Sequence, residues 1–164
     1  YDVAVQKDGK IIVVGTSISP TNKNQFTLIR LHNNGSPDTS FGPNGNGTIT
    51  ITPTNNDNDN AYARSVALDE NENIIVMGYT TANNTYNYFS LVRFNPDGTP
   101  DPKFGDQGVQ SIPLRFVINN LANQAEIPVL GTIQNNKQKL ILAGMYSSKY
   151  SKTASLMAVA RYNN

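Results

Sequence analysis

Val3-Ala-Val-Gln-Lys-Asp-Gly-Lys-Ile-Ile-Val-Val-Gly15 lies over Val66-Ala-Leu-Asp-Glu-Asn-Glu-Asn-Ile-Ile-Val-Met-Gly78 at a constant offset of 63 residues, with no gap. The same offset carries Phe26-Thr-Leu-Ile-Arg-Leu-His-Asn-Asn-Gly-Ser-Pro-Asp-Thr-Ser-Phe-Gly42 onto Phe89-Ser-Leu-Val-Arg-Phe-Asn-Pro-Asp-Gly-Thr-Pro-Asp-Pro-Lys-Phe-Gly105, and Gly45 onto Gly108. Self-similarity at a fixed period is the signature of repeat architectures and decides the fold before any local propensity does. A third copy begins with Lys139-Leu-Ile-Leu-Ala-Gly144, continues with Met157-Ala-Val-Ala-Arg-Tyr-Asn163, and ends before the Asp-x-x-Phe-Gly element. The copies divide the chain into 1–62, 63–124 and an incomplete 125–164.

Each copy reads as four strands. Val3 and Val5 alternate with polar neighbours, and Lys7-Asp-Gly-Lys10 is a hairpin turn whose glycine accepts positive φ. Ile11 to Val14 is a continuous β-branched run, the pattern of a strand covered on both faces. Gln25 to Leu31 is strand-like, Asn33-Asn-Gly-Ser36 and Asn95-Pro-Asp-Gly98 are turns, and Gly47 to Thr52 alternates Ile with Thr as a half-exposed strand. Helical periodicity is confined to Leu121–Glu126. The fold class expected is all-β: tandem four-stranded antiparallel blades, propeller-like, in about two and two-thirds repeats.

Composition bounds the function. The 164 residues carry a formal net charge of +1, with 13 Lys and Arg scattered along the chain. Nucleic-acid binding would need a basic stripe instead. Cysteine is absent, which removes disulfides, thiolate nucleophiles and zinc–thiolate clusters. No apolar run reaches the length that spans a bilayer, roughly 20 residues. The low charge and the wealth of Asn, Ser, Thr and Tyr fit extracellular material.

The string Gln-Lys-Asp-Gly-Lys-Ile-Ile-Val-Val-Gly, then Phe-x-Leu-x-Arg, then Asn-Gly-Ser-Pro-Asp-Thr-Ser-Phe-Gly, resembles the bacterial delta-60 repeat, a family of propeller-type repeats of uncharacterised function. The likeness covers nearly all of residues 1–109 and weakens beyond. The second copy has Asn71-Glu-Asn73 where the first has Asp-Gly-Lys, and the third has a looser turn over 134–138. The resemblance implies a large, repeat-rich, exported protein and no particular activity. Propellers usually need at least four blades to close. Other repeats of a longer chain, or other copies of this one, are therefore the partners expected at the open sheet edges.

Candidate sites stand beside plainer readings. An Asp follows the Arg by eight positions in both complete copies, so Arg30 with Asp38 and Arg93 with Asp101 read as an anion site or as a strand-to-turn tie. Repetition favours the tie. Phe41-Gly42 and Phe104-Gly105 read as core plugs beside a tight backbone. The run Asn55-Asn-Asp-Asn-Asp-Asn60 offers Asp57 and Asp59 as hard oxygen ligands for calcium, without the Gly and distal Glu of an EF-hand; a solvated loop is the plainer reading. No other cofactor is implied. Tyr79, Tyr86 and Tyr88 with Asn84, and Tyr146 and Tyr150 in the third copy, present aromatic faces beside amides, a chemistry suited to glycans. His32, the sole histidine, flanks a turn and has no catalytic partner at motif spacing. The expectation is a non-catalytic scaffold, adhesin or assembly subunit at the cell surface, with a lectin-like module as the alternative and a hydrolase a distant third.

Overall fold

The computed structural model describes residues 1–54, 56, 58–82, 86–113, 129–134, 139–147 and 155–163, with side chains for those through Ser111 except Tyr86 and Asn87. Among the described residues there are strands and turns and no helix. The first sheet is built from β1 (Asp2–Val5), β2 (Ile11–Ile18), β3 (Asn24–Leu31) and β4 (Thr48–Ile51), and the second from β5 (Asn60–Leu68), β6 (Ile74–Ala82), β7 (Tyr86–Phe94) and β8 (Val109–Pro113). The third contains β9 (Val129–Gln134), β10 (Lys139–Ser147) and β11 (Ser155–Asn163). Each is an antiparallel meander with its strands in sequence order, the form of a propeller blade. β5 crosses the boundary drawn at 62/63, and the candidate helical turn at 121–126 lies outside the described residues.

The turns explain why the strands reverse where they do. In the first blade the Gln6 N–H donates to the Lys10 carbonyl at 2.8 Å, Gly9 takes φ +85°, and the Asp8 carboxylate accepts from the Lys10 N–H. The second blade makes the same turn with Glu72 at φ +64°. A non-glycine residue there is strained by Cβ. Glu72 has a compensating role between blades, since its carboxylate accepts the Lys7 N–H at 2.8 Å and lies 3.6 Å from the Lys7 ammonium.

The blades stack front to back. Register pairs Val14 with Leu28 and Leu28 with Ile49, placing Ile12, Val14, Phe26, Leu28 and Ile49 on one face of the first blade. That face packs on Val66, Ile74, Val76, Val92 and Phe94 of the second, which occupy the opposite face of their own sheet. The core therefore lies between unlike faces of successive blades. Burying one such aliphatic side chain contributes roughly 1.5–3 kcal/mol.

The expectation that Ile11–Val14 is covered on both faces needs correction for the first blade. Ile12 and Val14 are buried, whereas Ile11 and Val13 are only half-buried. The matching residues of β6, Ile74 to Met77, are buried throughout. The difference comes from neighbours: β5 and β6 lie between the first blade on one side and β9 on the other, while among the described residues no strand packs on the back of β2.

The same asymmetry separates two glycines at one repeat position. A Cβ on Gly78 would overlap the Tyr62 carbonyl oxygen and come within 2.7 Å of the Phe26 ring, whereas on Gly15 the nearest atom would be 3.9 Å away. Gly78→Ala should therefore destabilise by about 1–3 kcal/mol through overpacking. Gly15→Ala should be neutral or slightly stabilising, because it restricts the unfolded chain. Urea melts of the two variants check this, and equal effects would refute the close approach at Gly78.

Candidate functional site

A buried polar group with several partners sits between the first two blades. Arg30 lies at the end of β3, where its N–H donates to the Gly47 carbonyl and its own carbonyl accepts from the Asp38 N–H. This short loop brings Asp38 back under the guanidinium, so Arg30 Nε donates to Asp38 Oδ2 at 2.9 Å with both side chains buried. Arg30 then crosses to the next blade and donates from Nη1 to the Pro96 carbonyl at 2.6 Å. Its guanidinium carbon lies 4.5 Å from the centroid of Phe41, within cation–π range.

Asp38 is held as a carboxylate. The Ser40 hydroxyl donates to Oδ1 at 2.6 Å and the Ser40 N–H at 3.0 Å, while Lys10 approaches Oδ2 at 3.6 Å. The Ser40 hydroxyl, opposed by burial and joined by the Ser40 N–H, Arg30 and Lys10, lowers its pKa from 3.8 to about 2. The His32 imidazole stands 3.9 Å from the same carboxylate on the exposed side of the turn.

The second copy repeats the frame with fewer polar partners around the acid. Arg93 Nε donates to Asp101 Oδ2 at 2.8 Å, the Lys103 N–H donates to Oδ1, and the guanidinium carbon lies 4.6 Å from the Phe104 centroid. Asn73 and Lys103 stand where the first copy has Lys10 and Ser40. In both blades the Arg–Asp pair links a strand end to the following turn. An anion would have to displace a buried carboxylate to use it.

A second cluster has no counterpart in the repeat. Between Ala63 and Ser65 the β5–β6 ladder slips by one residue, and Arg64 is the bulged residue. Bulges re-aim side chains. Here the Arg64 guanidinium carbon lies 4.6 Å from the ring centroid of Tyr1, 5.4 Å from Tyr79 and 5.8 Å from Tyr62. Tyr62 and Tyr79 stack with centroids 4.8 Å apart, and Asn24 Nδ2 donates to the Tyr62 hydroxyl at 3.0 Å and to Asn60 Oδ1.

The tyrosines named from sequence do not all fall together. Tyr79 is buried in this stack, while Tyr88 is half-buried on β7, where Thr80 is its cross-strand partner. Tyr86 lies at the start of β7 opposite Ala82, and Tyr146 is on β10 opposite Leu156. Asn84 and Tyr150 lie outside the described residues, as does Asp57. Asp59 is buried, and its Oδ1 accepts from Asn56 Nδ2 at 3.2 Å. Among the described residues no group of three or more His, Cys, Asp or Glu side chains is placed to hold a metal ion. No helix among them is long and apolar enough to cross a membrane.

Sequence reading missed Tyr1, Tyr62 and Arg64, whose meeting depends on a bulge. It also missed Asp2, whose Oδ2 accepts from the Ser65 hydroxyl and the Val66 N–H of the next blade, both at 2.9 Å. Burial opposes ionisation of Asp2, but these donors hold its pKa below the usual carboxylate value.

Meandering four-stranded sheets stacked unlike face to unlike face, each tied by one buried Arg–Asp pair over one Phe, define a tandem protein of β-propeller blades. Residues 6–41 and 73–104 match the family model "Domain of unknown function (DUF5122) beta-propeller". These two stretches are thus similar to the DUF5122 β-propeller family, the delta-60 type of repeat. The matched stretches contain Arg30, Asp38 and Phe41, and Arg93, Asp101 and Phe104. No curated protein and no solved structure matches the chain.

Proposed function

We propose that the chain is a non-catalytic structural or interaction module of an exported bacterial surface protein or extracellular assembly. One observation carries this reading: the side chains that recur once per repeat, Arg30 and Arg93, Asp38 and Asp101, Phe41 and Phe104, are all engaged in tying a strand end to the following turn of their own blade, and Arg30 also reaches the next blade at Pro96. The repeat thus encodes a stackable unit, and the low-charge surface suits an extracellular setting. Fractionation of cells expressing the full gene tests the location. The protein is expected outside the cytoplasm and open to added protease on intact cells; recovery from the cytosol alone rejects the proposal.

The carbohydrate-binding reading draws on the Tyr1, Tyr62, Tyr79 and Arg64 cluster, which sets aromatic faces beside the amides of Asn24 and Asn60. Stacked rings flanked by amides suit the apolar faces and hydroxyls of sugars. A glycan array separates the readings, since a lectin gives signal that falls with Tyr62→Ala or Tyr86→Ala and a scaffold gives none.

A further inference from the structure

We infer that Asn60, Tyr62 and Arg64 on β5 form a binding site for a saccharide that carries a carboxylate, a uronic-acid unit, with Arg64 receiving the acid and Tyr62 the sugar ring. The inference rests on the carbohydrate-binding reading above and names the class of sugar. The bulge sets up the site. Ala61 and Ala63, before the slip, and Val66, after it, all lie in the core shared with the first blade. Strict alternation would carry that core face from Ala63 to Ser65, and the extra residue moves it to Val66 instead. The slip thus leaves Asn60, Tyr62 and Arg64 as a row on the other face, the one Tyr62 shares with its cross-strand partner Tyr79. All three residues of the row are half-buried and lie outside the apolar core.

Arg64 selects for an acid. The repeat arginines, Arg30 and Arg93, each donate from Nε to an aspartate. Arg64 has no such partner among the described residues, where its polar contact is the Tyr79 hydroxyl, 3.4 Å from Nη2. Asp2, the residue after the Tyr1 ring that lies against the guanidinium, is already committed to the Ser65 hydroxyl and the Val66 N–H. Aromatic faces hold the guanidinium in place without neutralising it. A half-buried cation with no counter-charge favours an arriving carboxylate, and the planar guanidinium fork matches one through two parallel N–H···O bonds.

The amides beside it suit sugar hydroxyls. The Asn24 N–H and Nδ2 both donate to Asn60 Oδ1, at 3.0 and 3.2 Å, and Asn24 Nδ2 also donates to the Tyr62 hydroxyl at 3.0 Å. These bonds fix both amides and the tyrosine, yet among the described residues they leave the Asn60 Nδ2 and Tyr62 O–H donors and the Asn24 Oδ1 acceptor uncommitted. Fixed donors and an acceptor beside a ring are what orients a sugar. Asn24 opens β3 and Asn60 opens β5, so the group gathers where the β2–β3 loop and the β4–β5 connection arrive. At the repeat offset Arg64 corresponds to Tyr1 and Tyr79 to Thr16, so the cluster belongs to one blade and adds nothing to the repeated Arg–Asp tie.

Isothermal titration calorimetry on the whole chain tests this with short oligomers of galacturonate and of glucuronate, each beside its methyl ester, which keeps the ring and removes the charge. Wild type is expected to bind at least one of the acids, and to do so at least ~10-fold more tightly than its ester. Arg64→Gln should bring the acid down to the level of the ester, and Arg64→Lys, which keeps the charge without the fork, should fall between. Tyr62→Ala should weaken acid and ester alike, because stacking on the ring does not depend on the charge. A thermal melt checks the fold of each variant, and the acid-to-ester ratio on wild type decides the matter where a variant does not fold. Equal binding of acid and ester, or an Arg64→Gln protein that binds the acid as wild type does, overturns the inference and leaves the carbohydrate-binding reading in place. Inorganic phosphate that displaces the acid at equal concentration overturns it too, since the site would then take any anion. Absence of binding by every oligomer overturns both.

Discussion

Phe41→Ala is expected to destabilise the protein by about 3–5 kcal/mol, the range for deleting a buried aromatic ring when its surroundings relax only partly. Phe41 is completely buried and is held from three sides. The Arg30 guanidinium lies over its ring at 4.5 Å. Gly98 of the next blade lies so close that an added Cβ there would come within 2.7 Å of the ring edge. Beside the ring, the Gly42 N–H donates to the Asp97 carbonyl across the same interface. The substitution thus opens a cavity where two blades meet, and the rigid Arg30–Asp38 tie and the turn backbone limit its collapse. Phe41→Leu fills most of the space and should cost clearly less, though it loses the cation–π contact, worth roughly 0.5–2 kcal/mol. Urea unfolding of the two variants measures the difference. A loss below about 1 kcal/mol for Phe41→Ala would mean that the site collapses freely and that the ring is no inter-blade plug.

What the sequence revealed about this interface follows from repetition. Phe41 and Phe104, Arg30 and Arg93, and Asp38 and Asp101 recur at one offset, and each pair sits in one local frame, so a structural tie is legible in the repeat alone. The partner that Arg30 reaches on the next blade is the Pro96 carbonyl. A backbone acceptor leaves no mark in residue type. The Arg64 cluster was hidden for a different reason: at the repeat offset Arg64 corresponds to Tyr1 and Tyr79 to Thr16, so no periodic signal singles these residues out. Their meeting rests on a one-residue slip of the β5 ladder, and no local pattern around Arg64 announced that slip. The covering of β2 was misjudged because a β-branched run reports what a strand can bury. What it does bury depends on the sheet beside it, and the contrast between Gly15 and Gly78 expresses that dependence at a single position.

Asp38→Ala should cost a similar amount, about 3–5 kcal/mol, because removing one partner of a buried ion pair leaves the other charged and desolvated. The stranded group is Arg30, which keeps the Pro96 carbonyl and the face of Phe41 but loses its carboxylate. Lys10 loses a nearby counter-charge as well, and the Ser40 hydroxyl loses its acceptor. Asp101→Ala should cost less, since Asp101 has neither a Lys10 nor a Ser40 counterpart beside it. Acid provides a check that leaves the chain's volume unchanged. The folded-state pKa of Asp38 lies below its ordinary 3.8, so its stabilisation is complete above about pH 4 and is lost as the pH falls towards 2. Asp2, Asp8 and Asp97 are shifted in the same direction, so the whole protein should weaken across that window. Asp38→Asn lacks the titrating group, and its stability should depend less on pH there. The gap between wild type and Asp38→Asn in urea melts should therefore be widest above pH 4 and narrow steadily below it. A gap that stays constant from pH 6 to pH 2 would show that Asp38 acts through shape alone, and that ionisation at the blade junction contributes nothing to holding the repeats together.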